Sequence, residues 1–232
     1  MNINENLLEL VDIIDIIHTN EYVNMIDIGV EDDESFLLFN GIISHNSAAG
    51  SVKQARDSET DAVYALKGKI KNARKLSDLT ANAEWLDIMS ILEIEPGNNK
   101  LPTYEKIIIA TDEDADGQHI SSLIISFFHK WFPQIIENKK LYRLITPLVV
   151  CDINKVRKYF YTLQEYEEFI KTNKVTNVNY LKGLGSLSLE DWENVMKNKI
   201  LFSVINDRSS DRFLEIAFGD SSAKRKKWLE GK

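Results

Sequence analysis

The chain has 232 residues, of which 44% are hydrophobic and 28% charged, the balance of a globular protein with one large domain or two small ones. Its net charge of −8 excludes a protein that coats nucleic acid with its whole surface, but it leaves a local basic site open. No apolar run is long enough to span a membrane, no signal peptide is present, and the single cysteine, Cys151, fits a reducing compartment. We therefore predict a cytoplasmic protein with no membrane partner.

Residues 1–46 differ from the rest of the chain because they contain neither Lys nor Arg. Short apolar runs at 23–30 and 36–43 flank an acidic turn, a pattern typical of β-strands joined by turns. The dipeptide Asn40-Gly41 between apolar residues is a strong hairpin signal. We predict a separate, small β-rich module over these 46 residues.

From Ser47 onward the composition changes. Small residues at 47–51 lead into a predicted helix that runs through Arg56, and residues 77–95 are also predicted to be helical. Between them lies a basic cluster, formed by Lys67, Lys69, Lys71, Arg74 and Lys75. A run of like charges is usually a solvated face, so composition alone does not show that this cluster binds nucleic acid.

A wholly apolar run, residues 107–110, is typical of a buried parallel strand, and an acidic turn follows it. If the chain stays extended, Asp112, Asp114 and Asp116 project from one side, because side chains alternate along a strand. Converging carboxylates repel one another unless a cation lies among them, and Mg²⁺ is bound by one or two carboxylates, waters and phosphate oxygens. The turn therefore predicts a Mg²⁺ site at these three residues.

Two other interpretations of the acidic turn compete with this one. A solvated acidic loop is common, but strict alternation of three Asp residues between a strand and a helix disfavours it. A calcium-binding EF-hand loop also begins Asp-x-Asp-x-Asp-Gly, but it needs a bidentate Glu at its twelfth position. Counted from Asp112, that position is Leu123, so we reject the EF-hand.

Beyond the turn, apolar residues at helical spacing predict a helix that ends at Pro133. Leu141–Val150 is predicted to be one strand, and Ser188 is a plausible start of a further helix. A second basic cluster, Lys224 to Lys227, lies near the end. A strand, a turn, a helix and a further strand in this order indicate an α/β fold.

Five stretches, in order over residues 47–232, resemble the large subunit of type IIA DNA topoisomerases, a family that includes gyrase B. The most distinctive is 108–120, which resembles the family motif Asp-x-Asp-x-Asp-Gly-x-His-Ile. The others are 47–57, 65–72, 181–185 and 218–220. The stretch 181–185 matches Tyr-Lys-Gly-Leu-Gly except for Leu181 in place of Tyr.

This resemblance implies a Toprim core over residues 47–150, with a Rossmann-like parallel sheet and flanking helices, and a C-terminal part of the same region over 151–232. It implies Mg²⁺-dependent cleavage and religation of DNA within an ATP-hydrolysing topoisomerase. A tyrosine of a partner subunit would attack the scissile phosphate, and an ATPase domain would also come from a partner chain. An inactive Toprim scaffold that only docks subunits is an alternative, but it would predict a degraded Asp motif.

The resemblance also assigns roles to individual residues. Asp112 and Asp114 match metal ligands, and Asp116 matches a residue that supports the metal site. Lys69 and Asn72 match positions that contact DNA.

The family motif Glu-Gly-Asp-Ser-Ala is only half present. Ser47 and Ala48 match it, but the three residues before them are Ser44-His45-Asn46, so the catalytic Glu of the family is missing there. A penultimate His, a terminal Asn and a following hydroxyl are how an intein ends. The run Asp27–Phe36 also resembles the C-terminal piece of split inteins, except that Glu34 stands where these usually carry His.

Protein splicing requires these residue types. Ser47 Oγ would attack an ester at the upstream junction, Asn46 would cyclise and cut the backbone, and His45 would polarise the scissile amide. We expect the other intein half on a separate chain that also supplies the missing Glu, as in a phage-encoded enzyme acting in the host cytoplasm. The alternatives are a plain β extension without chemistry and an unspliced subunit whose Glu comes from a neighbouring chain.

Overall fold

The computed structural model describes residues 35–37, 43–45, 48–67 and 69–231. The strands are β1 (Ser35–Leu37), β2 (Ile43–His45), β3 (Ile107–Ile109), β4 (Leu141–Ile145), β5 (Val149–Ile153), β6 (Val156–Phe160), β7 (Thr176–Tyr180) and β8 (Ile200–Ser203). The helices are α1 (Ala48–Ala55), α2 (Leu76–Thr80), α3 (Ala83–Leu92), α4 (Ala115–Trp131), α5 (Pro133–Glu137), α6 (Leu163–Ile170), α7 (Leu189–Lys197), α8 (Ser210–Phe218) and α9 (Ser222–Leu229). A short 3-10 helix spans Leu184–Ser186.

The described strands form three sheets, and the fold is mixed α/β as predicted. In the first, β1 and β2 form an antiparallel pair, with Ser35 opposite His45. In the second, β3 is parallel to β4, and β8 is antiparallel to β4 on its other side. The third has the order β6-β5-β7 and is antiparallel throughout. The parallel pair at residues 107–110 is the part that the apolar run predicted.

Two predicted elements are divided in the structure. The single strand predicted over Leu141–Val150 is β4 and β5, which belong to different sheets, with Pro147 between them. Proline has no N–H to donate to a ladder and is disfavoured inside a strand. The helix predicted over 77–95 is α2 and α3, because the Asn82 side chain accepts a hydrogen bond from Trp85 N at 3.0 Å and caps α3.

The largest core lies between α4, α3 and the sheet of β3 and β4. Its centre is aromatic: Trp85 stacks on Phe127 with ring centroids 4.1 Å apart, and Phe128 and Phe132 surround Phe127. All four rings are buried. This core fixes α4 relative to β3, and therefore fixes the turn between them.

Two smaller cores complete the packing. One is formed by Leu144, Leu187, Trp192 and Val195, and α1 packs against it through Val52. The other lies on the sheet of β5, β6 and β7 and contains the fully buried Cys151. Burial, and secondarily the nearby charge of Asp152, raises the pKa of the Cys151 thiol, which favours the unreactive protonated form. Cys151 is therefore a core residue.

A buried ion pair joins the third sheet to α7. Arg157 on β6 binds Asp191 through two hydrogen bonds, Nε to Oδ1 at 2.6 Å and Nη2 to Oδ2 at 3.0 Å. Ser188 donates a further bond from Oγ at 2.7 Å. Burial alone would raise the pKa of Asp191, but the bonds from Arg157 and Ser188 outweigh it and hold that pKa below its ordinary value.

Removing this carboxylate should cost stability. We expect Asp191→Ala to lower the free energy of unfolding by about 3 kcal/mol, because it leaves the Arg157 charge without a partner. Urea denaturation at neutral pH measures this loss. Since the folded-state pKa of Asp191 is lowered, its contribution is present above the ordinary carboxylate pKa of about 3.9 and is lost as the pH falls below it.

The control for this prediction is Glu105→Ala, which removes a partner of the exposed Lys106 at 3.0 Å. An exposed pair contributes little, so the control should stay within about 0.5 kcal/mol of the wild type. Equal losses in the two variants would contradict the structural role of Asp191.

Candidate metal centre and basic segment

The acidic turn between β3 and α4, residues 112–117, forms what we call the Asp motif. The prediction that this stretch stays extended is wrong, because α4 already begins at Ala115. Asp114 is the N-cap of α4, where its Oδ1 accepts a hydrogen bond from Gly117 N at 2.7 Å. Asp116 lies in the first turn of the helix, a position where a carboxylate is favoured by the helix dipole. The three carboxylates therefore do not line one side of a strand.

Asp112 is the most enclosed of the three. Its Oδ1 accepts a hydrogen bond from Leu184 N at 2.6 Å, across 72 positions of sequence. A Cβ added at Gly117 would overlap the Asp112 backbone carbonyl, and one added at Gly183 would lie 2.8 Å from Asp112 Oδ1. The stretch 181–185 thus has a structural reason to carry glycine, which its sequence alone does not disclose.

Asp116 is engaged by the basic segment, defined here as residues 69–75. Lys69 Nζ lies 2.6 Å from Asp116 Oδ1, and both side chains are exposed. The hydrogen bond from Lys69, followed by its charge, holds the pKa of Asp116 below its ordinary value. The structure therefore brings Lys69 to the Asp motif, as the predicted site requires.

Sequence reasoning missed a further pair beside the turn. Glu113 lies 3.5 Å from Arg143, which stands in the middle of β4. The Arg143 Nε atom and the Thr111 hydroxyl are buried and have no hydrogen-bond partner among the described residues. An arginine inside an otherwise apolar strand was the available signal.

The donor atoms at this turn fit Mg²⁺ in part. Over residues 48–67 and 69–231, no group of three or more metal-binding side chains is assembled. Asp112 and Asp114 each use Oδ1 for a backbone N–H, and both stand just beyond the carboxyl end of β3. Two carboxylates match the way in which proteins hold Mg²⁺ with waters and phosphate oxygens, rather than in an all-protein cage.

The backbone of the basic segment is anchored by indole rings. Trp85 Nε1 donates to the Lys71 carbonyl at 2.9 Å, and Trp131 Nε1 donates to the Ala73 carbonyl at 2.8 Å. Because the carbonyls point inward, the Lys69, Lys71 and Lys75 side chains are left exposed. The segment thus presents cations to solvent from a fixed backbone.

Asn72 has a partner within the protein. Its Nδ2 donates to the Phe218 carbonyl at 2.9 Å, so it ties the basic segment to the end of α8. Its predicted contact with DNA stays a prediction.

The predicted splice junction lies largely outside the described residues. His45 ends β2, where only its backbone is described, and Asn46 and Ser47 are outside the description. The helix α1 begins at Ala48, directly after the predicted junction.

Two family models match the chain. The first, the Toprim domain, matches residues 41–146, and the second, the C-terminal associated domain of Toprim, matches residues 144–232. The first match thus begins before the predicted junction at Ser47. In the described residues, no helix is long and apolar enough to cross a membrane.

Several curated proteins are similar in sequence. The DNA gyrase B protein of Thermotoga maritima is 34% identical over 203 residues, which cover 82% of this chain and 32% of that protein. The DNA topoisomerase 4 B protein of Francisella tularensis is 35% identical over 205 residues, with the same coverage of 82% and 32%. This chain thus spans about a third of the length of these curated relatives.

A solved structure is similar as well. It is the DNA-binding, cleavage and re-ligation domain of Plasmodium falciparum topoisomerase II, with a TM-score of 0.60 and 30% identity. The match covers 70% of this chain and 24% of that one.

The glycine contact on Asp112 yields a prediction with a matched control. Gly183→Ala should lower the free energy of unfolding by about 1–3 kcal/mol, because its Cβ displaces the Asp112 carboxylate. Gly185→Ala, in the same stretch, meets no atom within 4 Å and should be neutral or slightly stabilising. Urea denaturation compares the two variants. Equal effects would show that Asp112 is not held by this contact.

Proposed function

This chain contains a Toprim domain and its associated C-terminal domain and is homologous to the B proteins of type IIA DNA topoisomerases, and on this premise we propose that it holds Mg²⁺ at the phosphate where DNA is cut and rejoined. The observation that carries the proposal is the placement of Asp112 and Asp114 just beyond the carboxyl end of β3, with Lys69 at the same turn. Open α/β sheets bind ligands at such strand ends.

In this proposal each residue of the turn has its own task. Asp112 and Asp114 hold the metal, and both are positioned by hydrogen bonds from backbone N–H groups. The metal supplies charge stabilisation at the phosphate and at the leaving oxygen. Asp116 supports the site by holding Lys69, whose ammonium group binds a neighbouring phosphate of the DNA.

The complete reaction requires partners. The nucleophilic tyrosine and the ATPase domain are contributed by other polypeptides, which together with DNA are the proposed partners of this chain. The similarity to proteins named as one of several topoisomerase subunits supports this proposal. The proposed location is the cytoplasm, the host cytoplasm if the gene belongs to a phage.

We further propose that residues 1–46 are the C-terminal part of a split intein. His45, Asn46 and Ser47 carry the splicing chemistry, and the joined upstream segment supplies the missing Glu to the metal site. The motif at 44–47 and the antiparallel pairing of β1 with β2 just before it support this proposal.

A second candidate is an unspliced Toprim chain that acts as an assembly scaffold. One observation favours it: within the described part of the chain, metal-binding side chains form no group of three. A scaffold needs no Mg²⁺, so the two candidates differ in the effect of neutralising the carboxylates.

Neutralisation of either proposed ligand should abolish cleavage. Asp112→Asn and Asp114→Asn keep the oxygen that accepts the backbone hydrogen bond and, for Asp114, the N-cap, so the fold should survive. We expect Mg²⁺-dependent DNA cleavage by the assembled enzyme to fall at least about 100-fold, since the charge that binds the metal is lost. A plasmid cleavage assay measures it.

The control is Asp211→Asn on α8, whose side chain is 90% exposed. It should cleave like the wild type. Undiminished cleavage by the Asp112 and Asp114 variants would favour the scaffold.

The splicing proposal is tested by mass spectrometry after mixing with a chain that carries the upstream half-intein. Asn46→Ala should block C-terminal cleavage, and Ser47→Ala should block ligation, because each removes a different covalent step. His45→Ala should only slow the reaction, by about 10²–10⁴-fold. Ligated product from the Asn46→Ala chain would sink the proposal and leave residues 1–46 as a structural extension.

A further inference from the structure

The helix α9 carries a concentration of positive charge that packing does not explain. Four consecutive cations, Lys224 to Lys227, occupy half of this eight-residue helix, in a chain whose net charge is −8. No residue of α9 is buried, and the helix contains no acidic residue. Its composition is therefore set by something other than the core, and a polyanion is the ligand that this charge fits.

The start of α9 is fixed against the basic segment. Arg74 Nη1 lies 2.6 Å from Asp220 Oδ1, in the turn between α8 and α9. Arg225 Nη1 donates to the Gly219 carbonyl in the same turn at 2.6 Å. The contact of Asn72 with the end of α8 adds a third tie. The basic segment thus begins at the Asp motif and ends at α9.

The α4 helix contributes a further cation at this end. Lys130 Nζ donates to the Arg74 carbonyl, and its side chain is exposed. The bond from Arg74 first, and then the charges of Lys75 and Lys130, hold the pKa of Asp220 below its ordinary value. Three separate parts of the chain therefore place cations around one carboxylate.

Several of these cations are available for a ligand. Lys224 lies 3.7 Å from Glu215, and Arg74 is bound to Asp220. Lys75, Lys226 and Lys227 are exposed, and none of them forms an ion pair within the described ranges. Exposed ammonium groups without partners can contact phosphates without breaking an existing bond.

We propose that α9 is a second DNA contact, which binds backbone phosphates of the duplex that flanks the cut. The inference rests on the proposed function, because it takes DNA as the ligand. The six steps from Lys69 to Lys75 span at most about 20 Å, and eight helical residues add about 12 Å. At about 3.4 Å per phosphate along one strand, this path matches roughly nine phosphates. DNA held at the Asp motif would therefore run along the basic segment to α9.

The test measures DNA affinity against salt concentration for the whole chain and a blunt duplex of about 20 base pairs. Lys226→Gln/Lys227→Gln removes two exposed charges that have no role in packing. If both contact phosphate, the slope of log K against log salt should fall by roughly 1.8. Between 50 and 200 mM salt, wild-type affinity should then drop about tenfold more than that of the variant. The matched control, Lys171→Gln/Lys174→Gln, also removes two exposed lysines and should keep the wild-type slope.

A third variant separates this inference from the proposed function. Lys69→Ala should weaken DNA binding and lower its salt dependence, because it removes the cation at the Asp motif. If Lys69→Ala lowers the slope and the α9 variant does not, the α9 contact is overturned and the proposed function stands. Equal effects of the α9 variant and its control would also overturn the α9 contact. A wild-type chain that does not bind the duplex overturns both.

Discussion

The hydrogen bond from the Leu184 backbone to the Asp112 carboxylate is the contact on which the candidate site depends. It joins the end of β3 to a stretch 72 positions away, and two glycines allow the close approach. Because its donor is a backbone N–H between Gly183 and the short 3-10 helix, the bond needs little side-chain ordering. The carboxylate is thus positioned by the fold rather than by a neighbouring side chain, which is what a metal ligand requires.

The same constraint shows what the sequence alone could predict. The apolar run at 107–110 and the helical spacing after it are local patterns, so β3 and α4 were predictable. The start of α4 was not, because Asp114 is both a candidate ligand and a good N-cap, and capping ends the extended chain two residues earlier. The reason for Gly183 lies in a tertiary contact, which no local pattern contains. The metal and splicing assignments rest on resemblance, and the described residues leave them as proposals.

The basic segment solves a separate physical problem. An irregular stretch must satisfy its backbone groups, yet its side chains must stay in solvent to meet phosphates. Here the indole N–H groups of Trp85 and Trp131 bind two of its carbonyls. These tryptophans also pack on the main core. The core that fixes α4 therefore also fixes the path of the cations.

The burial of Cys151 has a practical consequence for experiments on this protein. It is the one cysteine in the sequence, its side chain is fully buried, and its thiol is held in the protonated form. Thiol-reactive labels attack exposed thiolates, so they should leave the native chain unmodified. A cysteine introduced on α9 or beside the Asp motif would then be the sole labelling site. Distances from this chain to DNA or to a partner protein become measurable without removing any native residue.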